Sequence, residues 1–539
     1  MRLTYRYRIK DKHAKRLNSQ AQAINLIWNY CNETQMKAAR DGRKWLSGYD
    51  LDKLVAGVTK APPPRQDAIG VFVTSEGATA SVTYTGPSNF AGLVSCCAPN
   101  GTIIQARVQT TASGNGNATN GNAIIDASGT MSGIATTGQF QGLTAVAAGT
   151  GNALVDYGKN GPGTITVQGQ NAAGIFASTS TGSASITTFP GTTIVVGQPT
   201  DIGPKVGIDA FTDSGPATDI VRSTITINAS PDVPTTNYKS NPTGIRATSD
   251  LSGDASVTYT DPTGITVRGG GALGIVAVSG SLDATTQSGR VTVNASGPID
   301  TKDSSNAVGI LADSGFIRNV FSSGGRAPTT ITGSVDVTAS NVSALGQFGT
   351  AISATGGRGG VTVTTGGSIM GGWQADLTSV GPVYGLRATG VVLGSTGGGT
   401  ATLTNNGNFG ALSDRAVASP LPSFFANPTS SFPTSNNTSI INNGTITGFV
   451  QLVGDNNSFE NNGLFNLRHF AQTTDGGGRD TVRVAIADLG PGVFTNNGTL
   501  ALPQVIGATN ADNTGQYLPL GNPNNIMALN GPCRATWSA

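Results

Sequence analysis

Along most of the chain, apolar and polar residues alternate in short runs of about four to seven residues. Ala255, Val257 and Tyr259 fall on one side of such a run, and Ser256, Thr258 and Thr260 on the other. Period-two alternation bounded by Gly, Asn, Asp, Ser or Pro predicts half-buried strands joined by tight turns. The runs also recur as phrases. One copy reads Gly244-Ile245-Arg246-Ala247, then Asp254 to Thr260, then Gly264-Ile265-Thr266-Val267. Gly-Ile/Leu-x-Ala returns at Gly174, Gly207, Gly274, Gly309 and Gly385, with Ala351-Ile352-Ser353-Ala354 as a worn copy. Within each phrase Ile245 and Ala247 face the core, and Arg246 faces solvent.

A single strand of this kind buries almost nothing. Stacking copies puts Ile on Ile and Val on Val, which makes a continuous core from modest side chains. Successive phrases lie too close together for crossover helices. The expected fold is therefore all-β, a right-handed parallel β-helix; the rival arrangement is a β-sandwich with Gly-rich turns. A second marker appears late, at Asn405-Asn406-Gly407, Asn442-Asn443-Gly444, Asn461-Asn462-Gly463 and Asn496-Asn497-Gly498. It reads as a left-handed-turn signal. The spacings of these four are met by a coil near 19 residues if the first and last intervals each span two coils. The upstream repeat of about 35 residues fits either one looped coil or two tight ones.

The first 60 residues follow another pattern. Leu3, Tyr5, Tyr7 and Ile9 alternate with basic residues, as in an amphipathic strand. Ala14, Leu17, Ala21, Ile24, Trp28 and Cys31 form one stripe of a helix, which Asp41-Gly42 ends. A short helix over Tyr49 to Val55 follows. The fold expected here is a short α-rich fragment, strand-helix-helix. Charge changes at the same boundary. Residues 1–60 carry 13 Lys and Arg against 5 Asp and Glu, whereas the remaining 479 carry 19 against 25. Only 3 of the 76 Gly fall in the first 60. So sharp a break marks a domain boundary. The chain then divides into 1–60, a Pro-rich seam at 61–66, an irregular early β-helix at 67–151, and regular repeats at 152–410. A Pro/Ser-rich excursion covers 411–437, Asn-Asn-Gly coils 438–502, and an irregular tail 503–539.

Three phrases in the first segment, Met1 to Lys10, Ala23 to Asn32 and Lys44 to Leu51, resemble the start of the transposon-encoded OrfB/TnpB RNA-guided nucleases. In that family the region is helix-turn-helix-like and belongs to the nucleic-acid-binding lobe. The resemblance implies that Arg2, Arg6, Arg8, Lys10, Lys15 and Arg16 lie near phosphates. It covers about 60 residues, and the carboxylate triad and paired C-x-x-C zinc ribbon of those nucleases have no counterpart after Lys60. The repeats beyond residue 61 are similar to the β-helical passengers of bacterial autotransporters, carried by the Gly-Ile-x-Ala phrases and by coils such as Phe494 to Leu500. That resemblance implies surface display or release, adhesion or cell–cell contact, and an unknown surface ligand. Such passengers travel with a signal peptide and a C-terminal barrel. Neither is legible here, and the sequence alone therefore points to a cytoplasmic chain arising from a fusion or frame disruption.

Candidate chemistry on the solenoid is sparse. A Ser-His-Asp triad needs a histidine, and beyond the seam only His469 is present. Asp213-Ser214-Gly215 and Asp313-Ser314-Gly315 read as turns of the repeat. Asp250 with Asp254, and Asp300 with Asp303, read as solvated turns. Gly476-Gly477-Gly478-Arg479-Asp480 echoes a calcium-binding nonapeptide in a single copy. The four cysteines, Cys31, Cys96, Cys97 and Cys533, form no C-x-x-C pair. The sequence implies no catalytic residues, no metal site and no cofactor, no transmembrane helix, and weak DNA or RNA binding by residues 1–60.

Overall fold

The computed structural model describes residue 40 and residues 68–537, except 77, 86–89, 96–99, 110–120, 136–138, 232–237, 281–287, 315–331, 375–380, 382–385, 396–397, 421–436, 453–455, 468–483, 490–491, 502–525 and 531–534. The chain divides into two compact units, Met1–Gln66 and Asp67–Ala539. The strand and helices expected within residues 1–60 lie outside the described residues, apart from Arg40, whose backbone is helical.

The second unit is an all-β parallel solenoid. One coil consists of the strands Asn171–Thr179, Ala184–Thr188 and Thr193–Val196. Each pairs in parallel with its counterpart in the next coil, Lys205–Thr212, Ala217–Val221 and Thr224–Asn228. The strands thus stack into three faces around one core. Ile175, Ile208, Ile245, Ile275, Ile310 and Ile352 form one unbroken inward column. Ile165, Ile194, Ile225, Ile265 and Ile299 form the facing one. All are at most 1% exposed, and full burial of each side chain is worth about 1.5–3 kcal/mol. Between Val291 and Gly371, single bent strands serve the second and third faces together: Val291–Asp300, Val335–Ser343 and Val361–Gly371. Register shifts at Ala295/Pro298 and Ala339/Asn341 mark the bend. The early strands Ala68–Glu76 and Ala80–Thr85 and the late strands Ile526–Asn530 and Ala535–Trp537 pair in the same way.

The glycine of the repeated phrase is set by a close approach. A Cβ on Gly174, Gly207 or Gly244 would collide with Cγ2 of Ile194, Ile225 or Ile265 on the facing column, and with the carbonyl of the phrase glycine in the next coil. The first and third faces meet at this corner, and only a residue without a side chain fits there. The phrase at Gly385 departs from this rule. The rung after Ile352 is occupied by Val391, in the strand Thr389–Ser395, while Leu386 packs on the outside of the solenoid. The β-branched run after Thr389 out-competes Leu386-Arg387-Ala388 for the strand.

The late markers correct two expectations. Asn405 pairs with Asn442, Asn442 with Asn461 and Asn461 with Asn496, over separations of 37, 19 and 35 residues. Each interval is therefore one coil; loops absorb the difference in length, and neither long interval spans two coils. The same holds for the roughly 35-residue repeats upstream, which are single looped coils. Nor are these turns left-handed: none of Gly407, Gly444, Gly463 and Gly498 has positive φ. Glycine is required because a Cβ on each would run into the backbone of the turn stacked beneath it. The asparagines form two parallel ladders. In the buried one, Nδ2 of each donates to Oδ1 of the next at 2.8, 2.7 and 2.6 Å. In the exposed one, Asn443, Asn462 and Asn497 donate to Asn406, Asn443 and Asn462 at 3.0, 3.2 and 3.0 Å.

Candidate functional site

The outer surface of the first face carries two rows of outward side chains. One runs Phe72, Gln105, Thr144, Phe176, Asp209, Arg246, Val276, Leu311. The other runs Thr74, Arg107, Val146, Ser178, Phe211, Thr248, Val278. The downstream part is covered. Tyr238, Leu273, Val276, Val278, Val308, Leu311, Leu386 and Val392 make a second apolar cluster outside the solenoid core. Upstream the face lies open as a groove of about 420 Å³, lined by Arg107, Val146, Ser178, Ser180, Phe211 and Asp213 among others.

Ion pairs fix the boundary between the covered and open parts. Arg246 donates from Nε to Asp209 Oδ1 at 2.9 Å, from Nη2 to Oδ2 at 2.6 Å, and from Nη1 to the Lys239 carbonyl at 2.9 Å. The two side chains are 13% and 7% exposed. Arg246 is therefore not the solvent-facing residue expected from alternation. It points outward from the strand, but the turn Tyr238–Ser240 covers it. Lys239 Nζ lies 2.7 Å from Asp250 Oδ1 and 5.3 Å from the centroid of the Phe211 ring. A bidentate guanidinium–carboxylate pair and a cation over an aromatic ring both restrict the geometry of this turn.

Several sequence expectations change. Asp250 is buried in the pair with Lys239 and is not solvated. Asp300 ends the strand Val291–Asp300 and is half-buried, 3.1 Å from Arg268, whereas Asp303 lies exposed in a turn, as expected, with Arg268 at 3.0 Å. Asp254 accepts from the Arg290 N–H at 2.8 Å at an exposed position. Asp213 and Ser214 lie in a turn, as expected. Asp313 and Ser314, by contrast, end the strand Val308–Ser314, where buried Asp313 accepts from Thr355 Oγ1. Arg2, Arg6, Arg8, Lys10, Lys15 and Arg16 lie outside the described residues, as do His469 and Gly476 to Asp480. Among the described residues no three His, Cys, Asp or Glu side chains are grouped as metal ligands would be, and no helix is long and apolar enough to cross a membrane.

Ionisable side chains are also buried away from the groove, Lys205 and Asp219 among them. Lys205 is 0% exposed and donates to the carbonyls of Gln170, Ile202 and Gly203 at 2.5, 3.0 and 3.1 Å. Burial presses its pKa down to about 8, and Asp201 acts the other way. Asp219 points into the core between Ile186 and Val257, and neither of its carboxyl oxygens has a hydrogen-bond partner. Burial, and then the charge of Asp209, raise its pKa well above the ordinary carboxylate value.

The groove was not singled out from sequence, although a signal for the covered part of the same face was present. The x position of Gly-Ile-x-Ala should face water, yet it holds Phe176, Val276 and Leu311. Apolar residues at an outward position mean that something covers or contacts them. No protein-family model, curated protein or solved structure matches the chain.

Proposed function

We propose that residues 67–539 act as a non-catalytic contact scaffold of the autotransporter-passenger type, a right-handed parallel β-helix displayed toward an extracellular ligand or another cell. The observation that carries this reading is the groove on the first face, an open mixed polar and apolar surface on a ladder of stacked strands. Outward Ser and Thr rows on the other faces, such as Ser185, Thr218, Ser256 and Thr164, Thr193, Thr224, offer further hydroxyl contacts. Beads coated with the full chain should retain bacterial or epithelial cells better than beads coated with the heat-unfolded chain. Equal retention would end this reading.

A second reading rests on the excess of basic residues in the first 60, which resemble an OrfB/TnpB fragment. On this reading Arg2, Arg6, Arg8, Lys10, Lys15 and Arg16 contact phosphates, and binding of DNA or RNA weakens steeply with salt. Changing the six to Gln should remove low-salt filter binding. A wild-type chain indifferent to nucleic acid at low salt excludes this reading.

A further inference from the structure

We infer that the groove on the first face binds a neutral oligosaccharide about three sugar units long, lying along the solenoid axis. This deepens the contact-scaffold reading and rests on it. Length comes from the register. Arg107, Val146, Ser178 and Phe211 occupy successive rungs, so the first and last are three rungs, about 14 Å, apart. That is the span of a linear trisaccharide. The groove volume of about 420 Å³ lies in the range of small-ligand sites.

Ligand class comes from the lining. Arg107 offers only donors, Asp213 only acceptors, and Ser178 and Ser180 both. A polyol can answer all of them, because every hydroxyl both donates and accepts. Val146 and Phe211 supply the apolar surface on which the C–H face of a sugar ring packs. Charge is balanced within the groove. Arg107 and Asp213 have opposite signs, and the two cations beyond its downstream end, Lys239 and Arg246, are already held by Asp250 and Asp209. A ligand carrying net charge would be left uncompensated at one end. An extended peptide adding to the sheet does not fit either. The strands under the groove are hydrogen-bonded on both sides by neighbouring coils, which leaves no backbone edge to pair with.

The test is titration of the full chain with cellotriose and triacetylchitotriose, followed by ligand-observed NMR, with glucose as a single-ring control. Saturable binding of at least one trisaccharide is expected in the millimolar range, with glucose at least tenfold weaker. Phe211→Ala should weaken trisaccharide binding at least tenfold. Ser178→Arg, which fills one of the two inner rungs at an outward position, should abolish it without changing the melting temperature. Absence of saturation by either trisaccharide, or binding that survives both substitutions, overturns the inference. So does preferential binding of a triuronate or of trilysine. Because the titration uses no cells, failure here with intact cell retention removes only the ligand assignment, while trisaccharide binding without cell retention leaves the groove and removes adhesion.

Discussion

Arg246 and Asp209 grip each other across one coil boundary with two parallel hydrogen bonds of 2.9 and 2.6 Å. The pair ties the strand Thr243–Ser249 to its neighbour and, through the Lys239 carbonyl, holds the turn whose lysine lies over Phe211 at the groove's downstream end. Removing one partner leaves the other charge buried and uncompensated, which costs about 3–5 kcal/mol. Arg246→Ala should therefore lower the urea midpoint substantially, and Arg246→Asp, which sets two carboxylates face to face, should lower it further. Replacing both residues by Leu should recover most of the loss. Wild-type stability in Arg246→Ala would contradict the buried pair.

Asp219 interrupts an inward column that elsewhere holds Ile186 and Val257. Its carboxyl makes no hydrogen bond, so Asp219→Val, close in volume, should stabilise the solenoid by about 1–3 kcal/mol. The pH dependence follows from the same site. The folded-state pKa is raised well above 3.8, so the unfolded chain releases this proton from about pH 4 upward while the folded chain keeps it. Below that pH the group contributes no difference; above it, stability falls by up to about 1.4 kcal/mol per pH unit until the raised pKa is reached. Urea midpoints measured between pH 4 and 8 should show a smaller decline in Asp219→Val than in wild type. Identical pH profiles would mean that the carboxylate is not buried.

Within the buried asparagine ladder, Asn442 accepts from Asn405 and donates to Asn461. Asn442→Ala takes the donor from buried Asn461 Oδ1 and breaks the ladder to Asn405, and should cost about 1–3 kcal/mol. The neighbouring exposed rung, Asn443→Ala, should cost no more than about 0.5 kcal/mol. Equal effects in chemical denaturation would place both side chains in solvent.

The strands and their inward faces were legible because period-two alternation directly records which side is buried: Ile245, Ala247, Val257 and Tyr259 all point where the pattern puts them. Coil length was harder to read, since loops between rungs vary while the rungs do not, and spacing alone cannot separate one looped coil from two tight ones. The Asn405–Asn442 bond settles that point only in three dimensions. The turn glycines misled for a related reason. A glycine can be required by a left-handed backbone or by the absence of Cβ, and sequence does not distinguish the two. Arg246 looked solvated because alternation knows nothing of a turn folding back from residues 238–240. The groove stayed hidden for the same cause: Arg107, Ser178 and Phe211 are far apart in sequence and meet only because coils stack.

The central claim is that each repeat, whatever its length, makes one coil, and paired cysteines test it most directly. Thr402, Ser439 and Ser458 lie outward on successive rungs, with Thr402 beside Ser439 and Ser439 beside Ser458. Adjacent rungs lie about 4.8 Å apart, within reach of a disulfide. In a chain whose four native cysteines are changed to Ser, mild oxidation should join Thr402→Cys to Ser439→Cys as readily as Ser439→Cys to Ser458→Cys. Were the 37-residue interval two coils, Thr402 and Ser439 would stand about 9.6 Å apart. Crosslinking of the second pair alone would contradict the single-coil solenoid.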